Sequence, residues 1–492
     1  MKFDEFYKLT KKYNIIPIFK ETMADLETPL SAYMKIDNPE YSFLLESIEG
    51  GEKIARYSFL GREPFMIFFY KQGKVYINSK KEHKIIETAD PLQVLKNIFS
   101  KYKVAPKKGL PRFHGGAVGY IGYDIVKLYE KVPSFSKKDN LNWADMFFMF
   151  TDILMVFDHI SHKIQVVYNI FIDEKDNITS LNKKYFSSIK KIDLIIRELN
   201  KNIKLKRIKK DTGRFKINYY TPKEKFMKNV RKTVDLIKNG EAIQVVLSQR
   251  FDVNYNSDPL NIYRVLRIIN PSPYMHYLRF GDKVIIGASP ELMVRVENGK
   301  IELRPIAGTR KRGRDEEEDK KLEEELLNDE KERAEHIMLV DLGRNDVGRV
   351  SETGSVMVKD LMTVEKYSHV MHIVSGVEGK LKKGKDIFDV LKNTFPAGTV
   401  SGAPKVRAMQ IIEDMEDIKR GPYAGLVGYI SFSGNIDSCI SIRTIYFCNK
   451  KAVIQAGAGI VADSKPAKEY QETINKAKAL FKAIELSKNP KF

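Results

Sequence analysis

Glu332 and Glu335 lie three residues apart in a highly charged stretch, and Glu469 and Glu472 repeat that spacing near the end of the chain. At 100° per residue, each pair shares one face of a helix. Two such faces across a cleft make an oxygen-ligand site for a hard divalent ion such as Mg²⁺. The same spacing also describes ordinary surface carboxylates, which are common. Arg443, in CISIRTIYF, and Lys476, one turn after Glu472, are suited to the carboxylates of an anionic ligand, arginine in bidentate fashion. Residues 395–405, FPAGTVSGAPK, combine small residues and two prolines with the hydroxyls of Thr399 and Ser401. They read as a tight loop that a ligand can approach closely, ahead of a helix N-terminus, or else as a rigid connector. Residues 455–459, QAGAG, follow a strand pattern and read as a turn offering bare amides to an oxyanion. Their overlap with a GxGxxA dinucleotide fingerprint is rejected, because residues 463–466 intervene where a helix should open. His369 and His372 stand at helical i,i+3 spacing, and a lone histidine is more often structural than catalytic.

These residues need a framework, and the 492-residue chain is long enough to bury a sizeable core. Hydrophobic residues make up 43% and charged residues 30%, which excludes a disordered class and describes a soluble protein with a charged surface. The net charge of +20 is spread over Lys-rich helices and loops rather than one compact stripe, so no nucleic-acid partner is expected. Cys439 and Cys448 are the only cysteines and lack disulfide or zinc spacing, which fits a reducing cytoplasm. The start, MKFDEFYKLTKK, has no apolar signal core, and the run MFFMFTDILMVF is broken by Asp152 and short of the roughly 20 residues a membrane span needs.

The first part of the chain reads as strands. SFLLESIEGGEKIARYSFLG is expected to pair two strands around Gly50-Gly51, MIFFYKQGKVYINS two around Gln72-Gly73, and residues 146–172 two around residues 159–162. GGAVGYIGYDIV reads as a strand, alone or entering a helix. A Lys-rich segment near residues 174–218 contains helical spacing and then a basic end, the best domain boundary, giving parts 1–215 and 216–492. Thr221-Pro222 resembles an N-cap and first helical residue, with Asn239-Gly240 closing that helix. DEEEDKKLEEELLNDEKERAEH reads as one long solvated helix.

Six ordered blocks carry a resemblance. PIAGTRKRG (305–313), EHIMLVDLGRND (335–346), HVMHIVSGVEG (369–379), FPAGTVSGAPK, RGPYAGLVGYI (420–430) and QAGAGIVADS resemble, in order, the chorismate-utilising enzymes, covering the chain from about Tyr219 onward. The resemblance implies an α+β fold, antiparallel sheets flanked by helices, with an N-terminal regulatory part packed on the catalytic part. It also implies Mg²⁺ on the ring carboxylate of chorismate, held by Glu335 and Glu472 with Glu332 and Glu469 nearby. Tyr423, Arg443 and the amides of Gly457, Ala458 and Gly459 would hold the enolpyruvyl carboxylate, with Lys476 near the ring carboxylate. Gln244, Ala307, Gly308 and Thr309 would border the substrate. Glu291 matches the general acid that protonates the departing hydroxyl, His372 would assist pyruvate elimination, and Thr399 would contact the ring.

Three positions point to the anthranilate-forming branch of that family. Gln244 stands where water-adding members carry a lysine base, and an amide cannot play that part. Ala307 stands where aminodeoxychorismate-forming members carry a nucleophilic lysine, as PIKGT, and alanine cannot form the covalent intermediate. Leu45, Glu46 and Ser47, together with Asn270, Pro273, Tyr274 and Met275, match the branch's tryptophan-feedback element, an apolar pocket with a few polar anchors. Neither cysteine has the setting of an amidotransferase nucleophile, so ammonia is expected from a separate glutamine amidotransferase subunit, in a hetero-oligomer with two of each chain.

Overall fold

The computed structural model describes residues 1–492 apart from 39, 49–55, 81, 134–136, 138–140, 204–214, 368–369 and 490–492. Among the described residues, two antiparallel sheets of twelve strands each dominate the molecule. The first runs from Ile15–Met23 through Lys163–Phe171, Ile153–Asp158, Tyr57–Arg62 and Tyr41–Glu46, then onward without a break into Tyr274–Phe280, Lys283–Ser289, Thr444–Cys448, Lys451–Ile460 and Gln244–Asn254. The second passes from Ile306–Lys311 and Val370–Lys380 through Leu292–Glu297, Ile436–Ile440 and Leu426–Ser431 to Gly116–Ile121, Met146–Thr151 and Met66–Lys71. Early and late parts of the chain are therefore joined by main-chain hydrogen bonds at two seams, Leu45 opposite His276 and Val118 opposite Tyr429.

The central strands of the first sheet are buried on both faces, and neighbouring residues enter different cores. In SFLLE, Phe43 enters the core shared with the second sheet, while Leu44 enters a core covered by helices; Leu278 and Tyr277 divide in the same way. This is the period-2 geometry of a strand, with each large side chain contributing about 1.5–3 kcal/mol on burial. The helices over the outer face are Ile178–Leu199, Leu260–Ile269 and Pro466–Ser487, which supply Ile192, Tyr263, Leu480 and Ile484 to that core.

The hairpin at Gln72-Gly73 forms as expected, both residues taking positive φ (51° and 78°) between paired Lys71 and Lys74. Tyr41–Glu46 and Tyr57–Arg62 also pair, although Gly50-Gly51 lie outside the described residues. GGAVGYIGYDIV is a strand leading into a 3₁₀ turn, Tyr123–Leu128. The basic end before residue 215 is likewise outside the described residues.

Several elements differ from the reading of the sequence. Residues 146–172 form three strands, because Asp152 lets the chain leave the second sheet after Thr151 and enter the first at Ile153. The acidic stretch is two helices, Glu316–Asn328 and Glu330–Gly348, broken at Asp329, whose side chain accepts from the amides of Lys331 and Glu332 as an N-cap. The helix after Thr221 starts at Lys223, with Pro222 as an N-cap lacking a side-chain bond. QAGAG is no turn, since Lys451–Ile460 is one continuous strand paired with Gln244–Asn254. His372 sits in the strand Val370–Lys380 rather than on a helix, and His369 is outside the described residues. Finally, residues 395–405 contain a short helix, Gly398–Ser401, and the two-residue strand Gly402–Ala403, which pairs with Gln244 and Val245.

Candidate active site

Glu291 leaves the end of Lys283–Ser289 with its main chain fixed: its carbonyl accepts from the amide of Ile440 at 3.0 Å. Its side chain is 8% exposed and accepts a 2.8 Å hydrogen bond from the hydroxyl of Thr399. On one side it borders an apolar cavity lined by Leu292, Leu303, Leu339, Leu342 and Gly398. Burial pushes its pKa up to about 7, against the opposing pull of the Thr399 bond and of the Arg443 and Lys476 cations. The carboxyl is thus poised to hold or release a proton near neutrality, the property a general acid needs.

Arg443 lies within electrostatic reach of Glu291, Tyr423 and Glu472, and of His372. Its guanidinium has no hydrogen-bond or ion-pair partner among the described residues, and burial holds its pKa below the ordinary arginine value. A half-buried cation with no ion-pair partner among the described residues is a site prepared for an anionic ligand. Beside it, Lys476 bonds the carbonyl of Gly457 at 3.0 Å and the carboxylate of Glu472 at 2.6 Å. Beyond Ile454 the strand carrying Gly457 and Gly459 no longer pairs with Thr444–Cys448, so the other edge of its main chain is open. Side chains are excluded here: a Cβ at Gly457 would stand 2.8 Å from the Tyr423 hydroxyl, and one at Gly459 would stand 2.5 Å from Nε2 of Gln244. Ala458 points its methyl the other way, into an apolar cluster with Val245 and Ala408, so only its main chain can take part.

Gln244 donates from Nε2 to Glu335 at 2.8 Å, while its buried Oε1 has no partner among the described residues. Across the site, Nδ1 of His372 lies 2.9 Å from the carbonyl of Gly308 and 3.1 Å from the hydroxyl of Thr309. With the proton on Nδ1 and donated to that carbonyl, Nε2 is left as the free base, and burial keeps the ring's pKa below the ordinary histidine value. Ala307, Gly308 and Thr309 belong to Ile306–Lys311, whose pairing is irregular between Ala307 and Arg310.

The four glutamates stand as two pairs, each on its own helix. Burial, then the neighbouring carboxylates Glu335 and Asp329, raise the pKa of Glu332, and burial followed by Glu472 raises that of Glu469. Lys331 lies within electrostatic reach of both Glu469 and Glu335. Each of three carboxylates already has a partner: Arg310 lies 3.4 Å from Glu332, Gln244 donates to Glu335 at 2.8 Å, and Lys476 pairs with Glu472 at 2.6 Å. No group of three His, Cys, Asp or Glu side chains positioned to hold a metal ion occurs among the described residues. The donor set is hard oxygen with excess negative charge, and it fits Mg²⁺, which takes one or two carboxylates and completes its shell from water and substrate.

The sequence profile for chorismate binding enzymes matches residues 40–482. The chain belongs to the chorismate-binding enzyme family. Its similarity to other members of that family is extensive. It is 50% identical to anthranilate synthase component 1 of Acetivibrio thermocellus over 98% of each chain, and 50% identical to that of Aquifex aeolicus (strain VF5) over 99% of this chain and 98% of that one. The crystal structure of anthranilate synthase component I from Streptococcus pneumoniae TIGR4 superposes with a TM-score of 0.78 at 40% identity, covering 94% of this chain and 99% of that one. MenF, the menaquinone-specific isochorismate synthase from Escherichia coli, shares the fold with a TM-score of 0.72 at 19% identity.

This chorismate-binding enzyme has a second cavity where the two sheets meet. Leu45, Glu46, Ser47, Pro273, Tyr274 and Met275 line it, as the sequence reading grouped them; Asn270 does not, and instead ends the helix Leu260–Ile269. Glu46 turns outward to accept from Tyr263 at 2.5 Å and Arg267 at 3.2 Å, whereas the buried hydroxyl of Ser47 has no partner among the described residues. Sequence reasoning missed the floor of the cavity, where Asp437 accepts from Arg112 (3.0 Å), Arg295 (3.1 Å) and Tyr274 (3.1 Å). No local spacing announces it, because its members come from four separate segments.

Proposed function

We propose that this chain is the synthase subunit of an anthranilate synthase, which adds ammonia to chorismate and eliminates pyruvate. The observation that carries the reading is Glu291, a buried carboxyl near neutrality held by Thr399 and facing the unpartnered Arg443. Arg443, Tyr423 and the open main chain at Gly457 and Gly459 take the enolpyruvyl carboxylate. Glu335 and Glu472 would hold Mg²⁺, with Glu332 and Glu469 beside them, and Mg²⁺ there would neutralise and orient the ring carboxylate. Glu291 gives its proton to the departing ring hydroxyl as ammonia adds to the conjugated ring. The free Nε2 of His372 then serves the elimination of pyruvate that makes the ring aromatic. Gln244 and Ala307 support amination over the alternatives, since neither can act as a water-activating base or as a covalent nucleophile.

Ammonia comes from a separate glutamine amidotransferase in this reading. Burial pushes the Cys439 thiol up to about 12 and raises that of Cys448, so neither supplies the thiolate that glutamine hydrolysis needs. The purified chain should form fluorescent anthranilate from chorismate with ammonium, lose that activity to a chelator and regain it with Mg²⁺. Glutamine should support no turnover until a partner amidotransferase is added. Robust glutamine-dependent turnover by the single chain, or activity indifferent to chelation, contradicts the assignment.

The N-terminal part, 1–215, we read as regulatory, with the second cavity as a tryptophan site. The cavity has apolar walls, the free hydroxyl of Ser47 and paired arginines on its floor. It shares two strands with the catalytic site: Tyr274 lies opposite Ser289 in the sheet, and Cys439 on the cavity wall precedes Ile440, which holds Glu291. A ligand there can act on turnover only by favouring one arrangement of these strands over another. Ser47→Ala should weaken tryptophan inhibition about tenfold, the cost of one hydrogen bond to a charged ammonium, with uninhibited turnover unchanged. Equal inhibition of both proteins, measured as the tryptophan concentration that halves the rate, argues against this site.

A further inference from the structure

We propose that Arg420 is a positioning residue for this reaction: one guanidinium fastens the segment carrying Thr399 to the strand carrying Gln244. The inference rests on the reading above that chorismate is aminated in this site. Arg420 is 2% exposed and donates from Nη1 to the carbonyl of Val400 at 2.8 Å and from Nη2 to the carbonyl of Val246 at 2.7 Å. Val400 follows Thr399 in the short helix, and Val246 lies two residues after Gln244 on the same face of its strand. The same guanidinium packs over the ring of Tyr423, 5.6 Å to its centroid, and over that of Tyr123, 4.6 Å.

The charge is balanced by Glu416, which caps the end of the helix Lys405–Met415, through bonds of 2.7 and 2.9 Å. Glu416 in turn accepts from the amide and the hydroxyl of Ser248, both at 2.8 Å. The ion pair thus grips the strand at Val246 and Ser248, taking the place of a neighbouring strand there. A planar fork can meet two carbonyls and a carboxylate at once, and an ammonium on a flexible stem cannot hold the same three directions. No bond of Arg420 reaches the open part of the site. Its effect on turnover would pass through Thr399, and so through the proton of Glu291.

Arg420→Lys tests this. The expected result is a loss of about 10- to 100-fold in kcat, the scale of a small misplacement of reacting groups, with the chorismate KM little changed. The Thr399 bond lowers the pKa of Glu291, so loosening it should move the alkaline limb of the pH profile to higher pH, as Thr399→Val also should. Combining Arg420→Lys with Thr399→Val should cost no more than the worse single change, because both act on one contact. Should Arg420→Lys fail to fold, Glu416→Gln, which keeps an acceptor for Ser248, should give a smaller loss and the same displaced limb. Normal kcat, losses that add, or a loss uniform across pH would overturn the proposal. A parent protein that makes no anthranilate would instead overturn the reading on which it rests.

Discussion

Glu291→Gln is expected to lower kcat for anthranilate formation by about 10²–10⁴-fold while leaving chorismate affinity nearly intact, because glutamine keeps the shape and loses only the proton. Two further readouts follow from the environment of this carboxyl. An acid with a pKa near 7 is protonated below that value, so kcat/KM of the parent should fall as pH rises through about 7, and residual turnover of the variant should lack that limb. The folded-state value is raised from the ordinary 4.5, so the folded protein binds the extra proton between 4.5 and about 7 and loses stability as pH rises through that window. Glu291→Gln should therefore be the more stable protein above pH 7, by roughly 3 kcal/mol in denaturant titrations. A variant that loses activity and stability together would point to a structural role instead.

Arg443→Met should have the second-largest effect, and of a different kind. The guanidinium has no hydrogen-bond or ion-pair partner among the described residues, so its worth lies in a bound carboxylate, and a charge-assisted contact of that type is worth about 1.5–3 kcal/mol. A fall of about 10²-fold in kcat/KM, carried mainly by KM for chorismate, is the expected result. Without ligand, the variant should be as stable as the parent or more so, since a half-buried charge with no ion-pair partner among the described residues has been replaced by an apolar chain. Unchanged KM with a lowered melting temperature would mean that Arg443 serves the fold rather than the ligand.

Much of this was legible in residue order, for physical reasons that differ from site to site. The glutamate pairs could be read because i,i+3 spacing on a helix fixes their direction whatever surrounds them. The Gln72-Gly73 hairpin was legible because a two-residue turn demands residues that tolerate positive φ. Asp329 was not, because an aspartate among glutamates and lysines looks the same whether it caps a helix or continues one. His372 was assigned to a helix from its distance to His369, yet MHIVSGVEG alternates as a strand does. QAGAG was taken for a turn because glycines mark turns, whereas here they keep a strand bare where Tyr423 and Gln244 press against it. The Arg420 clamp and the Asp437 floor could not be read at all, since their partners meet only through tertiary packing.

The central claim is that one site both aminates chorismate and removes its pyruvate. Incubating the purified chain with chorismate, Mg²⁺ and ¹⁵N-ammonium, and weighing the products, tests it most directly. The account predicts anthranilate carrying a single ¹⁵N and an equal amount of pyruvate. Accumulation of isochorismate, whose new oxygen comes from water, or of an aminated product that keeps its enolpyruvyl group, would contradict it.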